Sequence, residues 1–291
     1  MTVWNLGSIN IDNVYRVRHL PGPGETLAAY EYQQGLGGKG ANMSVAAARA
    51  AAHVCHIGAI GGDGRWARDR MLEYGVDTRH IVQGQTATGH ANIALDDDGE
   101  NQIILFPGAN RDISVDQVKS ALTSGSAADT LLIQNETNAQ VDAALVARSI
   151  GMRVIYAAAP FEIAAVESVL AHIDILVLNA IEAAQLEAAM GKALTDLPVS
   201  DVVVTLGGDG SRHFDLATGT TTDIPAIAVD VVDTTGAGDT FTGYLAAGLD
   251  RGLPMRQALD LATQAAALMV TRLGTADVIP DLKDIEDWRL S

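Results

Sequence analysis

The chain has 291 residues, of which 48% are hydrophobic, and its 36 acidic and 19 basic residues give a formal net charge of −17. This length fits one large α/β domain or two small domains. The negative charge disfavours nucleic acid and anionic membrane surfaces as partners. Cys55 is the only cysteine, which excludes an intrachain disulfide. The sequence also lacks a signal-peptide pattern and an apolar run of membrane-spanning length, so we expect a cytoplasmic protein.

Short apolar runs alternate with alanine-rich helical patterns along most of the chain. The apolar runs predict strands at 2–9, 53–60, 129–135, 153–159, 175–179 and 201–208. The helical patterns predict helices at 41–52, 63–75, 138–150 and 181–191. This alternation indicates βαβ units, and therefore an α/β fold with a doubly wound, mostly parallel sheet.

Two segments, 12–36 and 86–107, interrupt this alternation with the two-residue period of half-buried strands. The second contains "DDDGEN", a hairpin turn signal. We expect both segments to form a small β-sheet that lies beside the main sheet as a lid. Because no Pro- or Gly-rich linker divides the chain, residues 1–291 are predicted to form a single α/β domain.

Residues 35–40, "GLGGKG", have the G-x-G-x-x-G spacing of dinucleotide-binding turns. Such turns directly follow a strand of a βαβ unit, and no such strand is expected here. A phosphate loop is also excluded, because Gly40 stands where that motif has Ser or Thr after its lysine. We interpret the segment as a glycine-rich loop that leads into a helix, where Asn42 offers an amide to vicinal hydroxyls. A tight turn with a helix cap explains the same residues equally well.

A second small-residue turn, Gly236-Ala237-Gly238, precedes a helix that is predicted to begin at Asp239. A valine-rich run at 227–232 predicts a strand before this turn. The first amides of a helix have no internal acceptor, so the turn predicts an anion hole. Asp239 at its mouth is suited to accept the proton of a hydroxyl that attacks a phosphoryl group. A simple N-cap would explain Asp239 but not the small residues before it.

Polar residues follow several predicted strands. Ligands of open parallel sheets bind beyond the carboxyl ends of the strands, and five candidates are predicted at such ends: Asn10, Glu136, Asn179, Thr205 and Asp239. Asp12 is expected to share a strand face with Asn10. Asn179 and Glu182 either hold hydrated Mg²⁺ or form a helix-capping pair, and the sequence favours neither.

Taken in chain order, these motifs resemble the ribokinase/PfkB family of sugar kinases, and the resemblance extends from Gly7 to Pro280. The most specific motif is "DTTGAGDTFTG" at 233–243, whereas "GGKGAN" at 37–42 and "PGETL" at 23–27 point to the ribokinase branch. The resemblance implies ATP-dependent phosphorylation of the primary hydroxyl of a sugar, with D-ribose to D-ribose 5-phosphate as the first expectation. The alternative within the family is a nucleoside or a different sugar.

The same resemblance implies a role for each site residue. Asp239 would be the catalytic base, and Gly236, Ala237 and Gly238 would form the anion hole for the γ-phosphoryl group. The residues implied to bind the sugar are Asn10, Asp12, Gly38, Lys39, Asn42, Glu136 and Asp239. The residues implied to bind ATP, with Glu182 organising Mg²⁺, are Asn179, Glu182, Thr205, Gly207, Gly210 and Gly238. The residues implied to enclose a K⁺ ion are Asp233, Thr235, Met269, Arg272 and Gly274. The small sheet would be both the lid and the surface of a homodimer.

The chain departs from the family pattern at several positions. Val278 replaces a hydroxyl residue that lines the cation site, so the requirement for potassium stays open. Ala157 begins "AAAP" where ribokinases carry Asn-Pro-Ala-Pro, Thr263 replaces a histidine, and the segment 191–200 is short. Asn92 is polar where an apolar residue is common. Two other hypotheses compete with a kinase: a nicotinamide-dependent oxidoreductase, based on "GLGGKG", and a non-catalytic sugar sensor.

Overall fold

A nine-stranded sheet forms the centre of the molecule, and a separate four-stranded sheet lies beside it. The computed structural model describes residues 1–290. The strands in this range are β1 Thr2–Leu6, β2 Asn10–Arg16, β3 Glu31–Gly37, β4 His53–Ile60, β5 Val76–Gln83, β6 Gly89–Leu95, β7 Asn101–Phe106, β8 Thr130–Gln134, β9 Arg153–Ala157, β10 Ile175–Asn179, β11 Asp201–Thr205, β12 Ser211–Asp215 and β13 Thr220–Ile224. The helices are α1 Lys39–Arg49, α2 Arg65–Glu73, α3 Val115–Leu122, α4 Gln140–Ile150, α5 Ile163–Val169, α6 Ala180–Met190, α7 Ala237–Asp250, α8 Met255–Met269 and α9 Leu282–Leu290.

The strands of the main sheet follow the order β5-β4-β1-β8-β9-β10-β11-β12-β13. The strands from β5 to β11 are parallel, and the antiparallel strands β12 and β13 complete one edge. The chain first extends the sheet from β1 through β4 and β5, and later builds the other side from β8 onward. The strand order therefore reverses between β1 and β8, where an open α/β sheet forms a crevice beyond the carboxyl ends of its strands.

Helices cover both faces of the main sheet. The side chains of β1 alternate between two cores, because Val3 packs into one of them and Trp4 and Leu6 pack into the other. The core of Val3 is completed by α1, α2, α7, α8 and α9, and the opposite core by α3, α4, α5 and α6. Burial on both faces explains why the central strands are apolar runs without polar alternation. Within residues 1–290, no helix is both long enough and apolar enough to cross a bilayer.

The small sheet has the strand order β3-β2-β6-β7, with β2 parallel to β6 and an antiparallel pair on each side. The chain enters this sheet directly after β1, leaves it after Gly37, re-enters it at Gly89 and returns to the main body through a short turn at Gly108–Arg111. All six residues of the edge strand β7 are exposed. The small sheet is therefore an extension of the main body that begins beside the central strand.

The predicted α/β fold class, with a mostly parallel sheet and a small β-sheet, is confirmed. The strand predicted at 227–232 is wrong. The chain leaves the main sheet after Ile224, and the backbone amides of Val232 and Asp233 donate to the carbonyl of Val270 beyond the end of α8. The apolar side chains of this segment line a cavity instead of packing in a sheet, which is why their valine-rich pattern imitates a strand.

Gly243 allows α1 and α7 to approach closely, and this contact is testable. An alanine in a helix interior normally stabilises the helix by about 0.5–1 kcal/mol relative to glycine. At Gly243, however, a Cβ would lie 2.5 Å from the carbonyl oxygen of Met43 and 2.6 Å from Cβ of Ala46. We therefore expect G243A to lower the free energy of unfolding by about 1–3 kcal/mol in urea denaturation. G84A is the control, because a Cβ at Gly84 meets nothing within 4 Å. Equal stability of the two variants would contradict the close packing.

Candidate active site

The glycine-rich loop lies where the small sheet joins the main body. Contrary to the sequence-based expectation, a strand does precede this loop, because β3 ends at Gly37 and α1 begins at Lys39. This strand belongs to the antiparallel part of the small sheet, so the unit is still not a dinucleotide-binding βαβ motif. Gly38 links the two elements with φ 92°, a left-handed conformation that favours glycine.

The first turn of α1 is bonded to the ends of the central strands. The backbone amide of Lys39 donates to Oε2 of Glu136 at 3.0 Å, and the amide of Gly40 donates to Oγ of Ser8 at 3.1 Å. Oγ of Ser8 in turn donates to Glu136. A Cβ on Gly7 or Gly40 would collide with the other glycine's backbone. These amides already have protein acceptors, so the loop lacks the free amides that a pyrophosphate would need, and the oxidoreductase hypothesis loses its basis.

Asp239 is buried at the start of α7. The helix begins at Ala237, so Asp239 is its third residue and not its N-cap. Nδ2 of Asn42 on α1 donates to Oδ2 of Asp239 at 2.9 Å. Burial raises the pKa of Asp239 to about 6, although Lys39 and the bond from Asn42 oppose this shift. A carboxyl group with such a pKa is a stronger base at neutral pH than an exposed aspartate and is still ionised there.

Lys39 is the positive charge among several carboxylates. Its pKa is raised, mainly by Asp239 and also by Glu136 and Glu182, against the opposing effect of burial. Burial, together with the charges of Glu136 and Asp239, raises the pKa of Asp12 to about 6. The predicted sugar residues on α1, β2 and the loop after β8 are therefore electrostatic neighbours at one place in the fold.

Two adjoining cavities lie next to these residues. The first, of about 240 Å³, is lined by Lys39, Asn179, Glu182, Gly236 and Asp239, among others. The second, of about 400 Å³, is mostly apolar, and its lining includes the predicted nucleotide residues Thr205, Gly207, Gly210 and Gly238. Thr205, Thr234 and Gly238 line both cavities, so the two form one groove along the carboxyl edge of the sheet.

Five polar residues were expected at the carboxyl ends of strands in the parallel sheet, and the structure places three of them there. Asn179 and Thr205 are the last, paired residues of β10 and β11, and Glu136 lies two residues beyond β8. Asn10 instead begins β2 in the small sheet, and Asp239 lies within a helix that follows an irregular segment. The parallel-sheet rule misplaces these two, because it describes only the main sheet and the turns directly after its strands.

Asn179 and Glu182 form a helix-capping box at the start of α6. Oδ1 of Asn179 accepts from the Glu182 amide at 2.9 Å, and Oε2 of Glu182 accepts from the Asn179 amide at 2.8 Å. Burial raises the pKa of Glu182. Both side chains also line the smaller cavity, so the structural and ligand-binding interpretations are compatible.

Residues predicted to hold a cation lie next to the turn Gly236-Ala237-Gly238. The Asp233 carboxylate accepts from the amides of Thr235 at 2.9 Å and Gly274 at 3.2 Å. The carbonyl of Met269 accepts from the amide of Arg272 at 3.0 Å. Val278, which brings only methyl groups, packs next to Gly274. Backbone amides therefore already hold the carboxylate that a cation would contact, and Val278 contributes no ligand.

Sequence analysis missed several polar residues that support the site. Ser8 links Glu136 to α1, and Asn110 bonds to both Ile9 and Asn10. Beneath α1, Nδ2 of Asn5 donates to Ser44, whose hydroxyl contacts Nδ1 of His56 at 2.8 Å. Ser8 lies in "GSINID" at 7–12, close to Asn10 and Asp12, and Asn110 lies in "FPGAN" at 106–110. Neither residue type nor spacing indicated which partners they have.

Comparisons with known proteins decide the family. Residues 2–282 match the model of the pfkB family of carbohydrate kinases. The chain belongs to this family. A ribokinase of Haemophilus influenzae is 36% identical, over 96% of this chain and 95% of that protein. A ribokinase of Thermotoga maritima superposes with a TM-score of 0.88 at 30% identity, covering 100% of both chains. Arabidopsis thaliana ribokinase, whose structure contains ribose and ATP, superposes with a TM-score of 0.85 at 29% identity and covers 98% of this chain and 97% of that chain. The family predicted from the motifs is confirmed.

The buried carboxylate of Asp239 should reduce the stability of the fold at neutral pH. Its pKa of about 6 exceeds the ordinary value of 3.8, so folding favours the protonated form. The ionised form therefore destabilises the fold as the pH rises through about 6, by up to about 3 kcal/mol. We expect D239N to raise the thermal midpoint at pH 8, with a gain that shrinks as the pH falls from 6 to 4.

D77N is the matched control for this measurement. The bond from Arg79 lowers the pKa of Asp77 to about 2, so its ionised form stabilises the fold above the ordinary pKa. D77N should therefore lower the midpoint at pH 8, opposite in sign to D239N. If D239N were destabilising at pH 8 and neutral at pH 4, the stated electrostatic effect of Asp239 would be wrong.

Proposed function

We propose that this pfkB-family kinase transfers the γ-phosphoryl group of ATP to the primary hydroxyl of D-ribose and so forms D-ribose 5-phosphate. The observation that carries the proposal is the buried carboxylate of Asp239 at the start of α7, between the residues expected to bind the sugar and a groove of suitable size for a nucleotide. The similarity to proteins named ribokinase, one of them with bound ribose and ATP, supports the choice of sugar.

In the proposed reaction Asp239 accepts the proton of the sugar hydroxyl while its oxygen attacks the γ-phosphorus. A new P–O bond forms, the bond to the β-phosphate oxygen breaks, and ADP leaves with that electron pair. The bond from Asn42 to Oδ2 fixes the carboxylate, so Oδ1 is the atom that we assign to the sugar hydroxyl. We assign the amides of Gly236, Ala237 and Gly238 to the negative charge on the transferred group, because amides at the start of a helix can donate to a bound anion. The Ala237 amide donates to the carbonyl of Thr234 at 3.3 Å and would exchange this long bond for one to the phosphoryl oxygen.

The remaining sugar contacts are assigned by position. Two of them, Asn10 and Asp12, belong to β2 of the small sheet, and Glu136 follows β8. The others belong to the glycine-rich loop and the first turn of α1: Gly38, Lys39 and Asn42. Hydroxyl groups bind well to such a mixture of carboxylates and amides, because each hydroxyl both donates and accepts. Lys39 also lies close enough to Asp239 to offset negative charge at the transferred group.

ATP is proposed to lie along the groove, with its base in the larger, apolar cavity. Thr205, Gly207 and Gly210 flank it there, and Asn179 lies beside its phosphates. One oxygen of Glu182 caps α6, and its other oxygen remains available to a hydrated Mg²⁺ ion. Such an ion would supply positive charge to the phosphates. The donor set suits this hard cation, which prefers oxygen ligands and keeps most of its waters.

A potassium ion fits this chain less well. Asp233, Thr235 and the main chain of Met269, Arg272 and Gly274 enclose the proposed position, but Val278 adds no oxygen. Amide hydrogen bonds already connect Asp233 to both sides of this loop. We therefore propose that potassium stimulates activity only weakly. A cytoplasmic location fits the lone, buried thiol of Cys55, because the reducing cytoplasm keeps such a group free.

The small sheet is proposed to act as a lid over the sugar and as the surface of a homodimer. Its edge strand β7 exposes Ile103, Ile104, Leu105 and Phe106, with 55%, 66%, 51% and 44% of their surface accessible. A contiguous apolar edge of this kind is unusual on a monomer and marks a contact surface. The lid would exclude water, which otherwise competes for the γ-phosphoryl group.

The central experiment is a panel of phosphoryl acceptors in a coupled ADP-release assay, with and without potassium. We expect D-ribose to give the highest kcat/KM, and the rate to fall as Asp239 becomes protonated below pH about 6. D239N should reduce kcat by about 10²–10⁴-fold, because a positioned base contributes this much. D250N is the matched control, since Asp250 is equally buried at the other end of α7, and it should keep normal turnover.

Four results would contradict these assignments. Preference for a nucleoside or another sugar would replace ribose as the substrate, and near-normal turnover by D239N would remove Asp239 as the base. A sugar that binds without any ATP turnover would indicate a sensor. A tenfold or larger loss of rate without potassium would show that Val278 does not weaken the cation site.

The dimer is tested by sedimentation analysis of the wild type and I104E. A charge in the exposed apolar edge should shift the wild-type dimer to monomer at the same concentration. L145E is the control, because Leu145 on α4 is 47% exposed but distant from the small sheet. A monomeric wild type, or a dimer that I104E leaves intact, would contradict the proposed surface.

A further inference from the structure

The side chain of Asn110 connects two of the four places where the chain passes between the main body and the small sheet. Asn110 lies in the turn Gly108–Arg111, directly after β7, and is 1% exposed. Its Oδ1 accepts from the amide of Ile9 at 2.9 Å, and its Nδ2 donates to the carbonyl of Ile9 at 3.3 Å. Ile9 immediately precedes β2. One amide therefore holds the first entry of the chain into the small sheet against its last exit.

The same Nδ2 also donates to Oδ1 of Asn10 at 2.8 Å. This third bond fixes the orientation of both amides. The Ile9 amide can only donate, so the oxygen of Asn110 must face it and the nitrogen must face Asn10. Asn10 must then present its oxygen to Asn110. Its own NH₂ group is left to point away from Asn110.

Gly89 provides the space for this contact. It begins β6 and pairs directly with Asn10 across the parallel strands. A Cβ on Gly89 would collide with both Nδ2 of Asn110 and Oδ1 of Asn10. The smallest residue thus stands where the two amides meet, and the contact between Asn110 and Asn10 depends on it.

We propose that Asn110 is a positioning residue for sugar binding: it holds Asn10 so that the Asn10 NH₂ group donates to a sugar hydroxyl. This inference rests on the proposed function, because it assumes that Asn10 contacts the sugar. Asp12, two residues further along β2, can only accept when ionised. Asn110 therefore gives the two neighbouring sugar contacts opposite hydrogen-bonding character, and this pair selects how the sugar is oriented.

The test compares N110D with the wild type. The substituted carboxylate has almost the same shape and can still accept from the Ile9 amide, but it cannot donate to Asn10, whose amide is then free to reverse. We expect KM for ribose to rise at least about tenfold, because a misdirected buried donor costs a factor of this size. KM for ATP should stay within about twofold of the wild-type value, and kcat should change much less than KM for ribose.

Deoxyribose analogues give a measurement that a purely structural role would not change. One analogue, lacking the hydroxyl that receives the Asn10 donor, should bind more weakly than ribose to the wild type. In N110D this penalty should largely disappear, because the interaction is already lost. G89A should reproduce the selective rise in KM for ribose, because its Cβ would displace the two amide side chains without changing their chemistry. G89A replaces N110D as the test if N110D does not fold.

Q117E is the matched control for exchanging an amide for a carboxylate. Nε2 of Gln117 donates to the carbonyls of Gly58 and His80 at 2.8 and 3.0 Å, and Gln117 bonds to no site residue. Q117E should lower the thermal midpoint without changing KM for ribose. The proposal is overturned if N110D and G89A keep the wild-type KM, or if they raise KM for ribose and ATP equally. Failure of the wild type to phosphorylate ribose would instead reject the proposed function, and the comparison would be repeated with the acceptor that it does phosphorylate.

Discussion

The close crossing of α1 and α7 is the constraint on which the site depends. Gly243 lets the two helices approach until its backbone lies against Met43, and this approach brings Asn42 within hydrogen-bonding distance of Asp239. The first turn of α1 carries residues proposed to bind the sugar, and the first turn of α7 carries Asp239, the proposed base, next to the small-residue turn. A wider crossing would separate these two sets. The geometry of the site is therefore fixed by helix packing in one core, and the loops only complete it.

The buried negative charge of the site lowers the stability of the fold. Burial raises the pKa values of Asp12 and Asp239, so both carboxylates are less favourable in the folded chain than in water. At Asp239, the charge of Lys39 and the hydrogen bond from Asn42 offset part of this cost. Buried carboxylates with raised pKa values are common at functional sites, where a group must be a stronger base than its exposed counterpart. The same burial that weakens the fold gives Asp239 its basicity.

Much of the fold and site was predictable from the sequence. β4 and β10 have the predicted limits, because buried parallel strands leave an unmistakable apolar run between helical patterns. The sequence pointed to Asp239 and the turn Gly236-Ala237-Gly238, because an N-cap alone would explain the aspartate but not the three small residues before it. The irregular segment at 227–232 was predicted as a strand instead, because apolar residues that line a cavity have the same sequence pattern as apolar residues of a buried strand. Ser8 and Asn110 were missed because their roles depend on partners about one hundred residues or more away.

The position of β1 in the centre of the main sheet has a consequence for the newly made chain. The first strand to be synthesised must wait for β4 on one side and β8 on the other, and the contact between Asn42 and Asp239 spans 197 residues. Helix α1, buried from Gly40 to Ala47, is uncovered until α7 has left the ribosome. Long-range pairing of this kind is slow and leaves apolar surface exposed meanwhile. The architecture that assembles the site from both ends of the chain therefore makes nearly complete synthesis a condition for any activity.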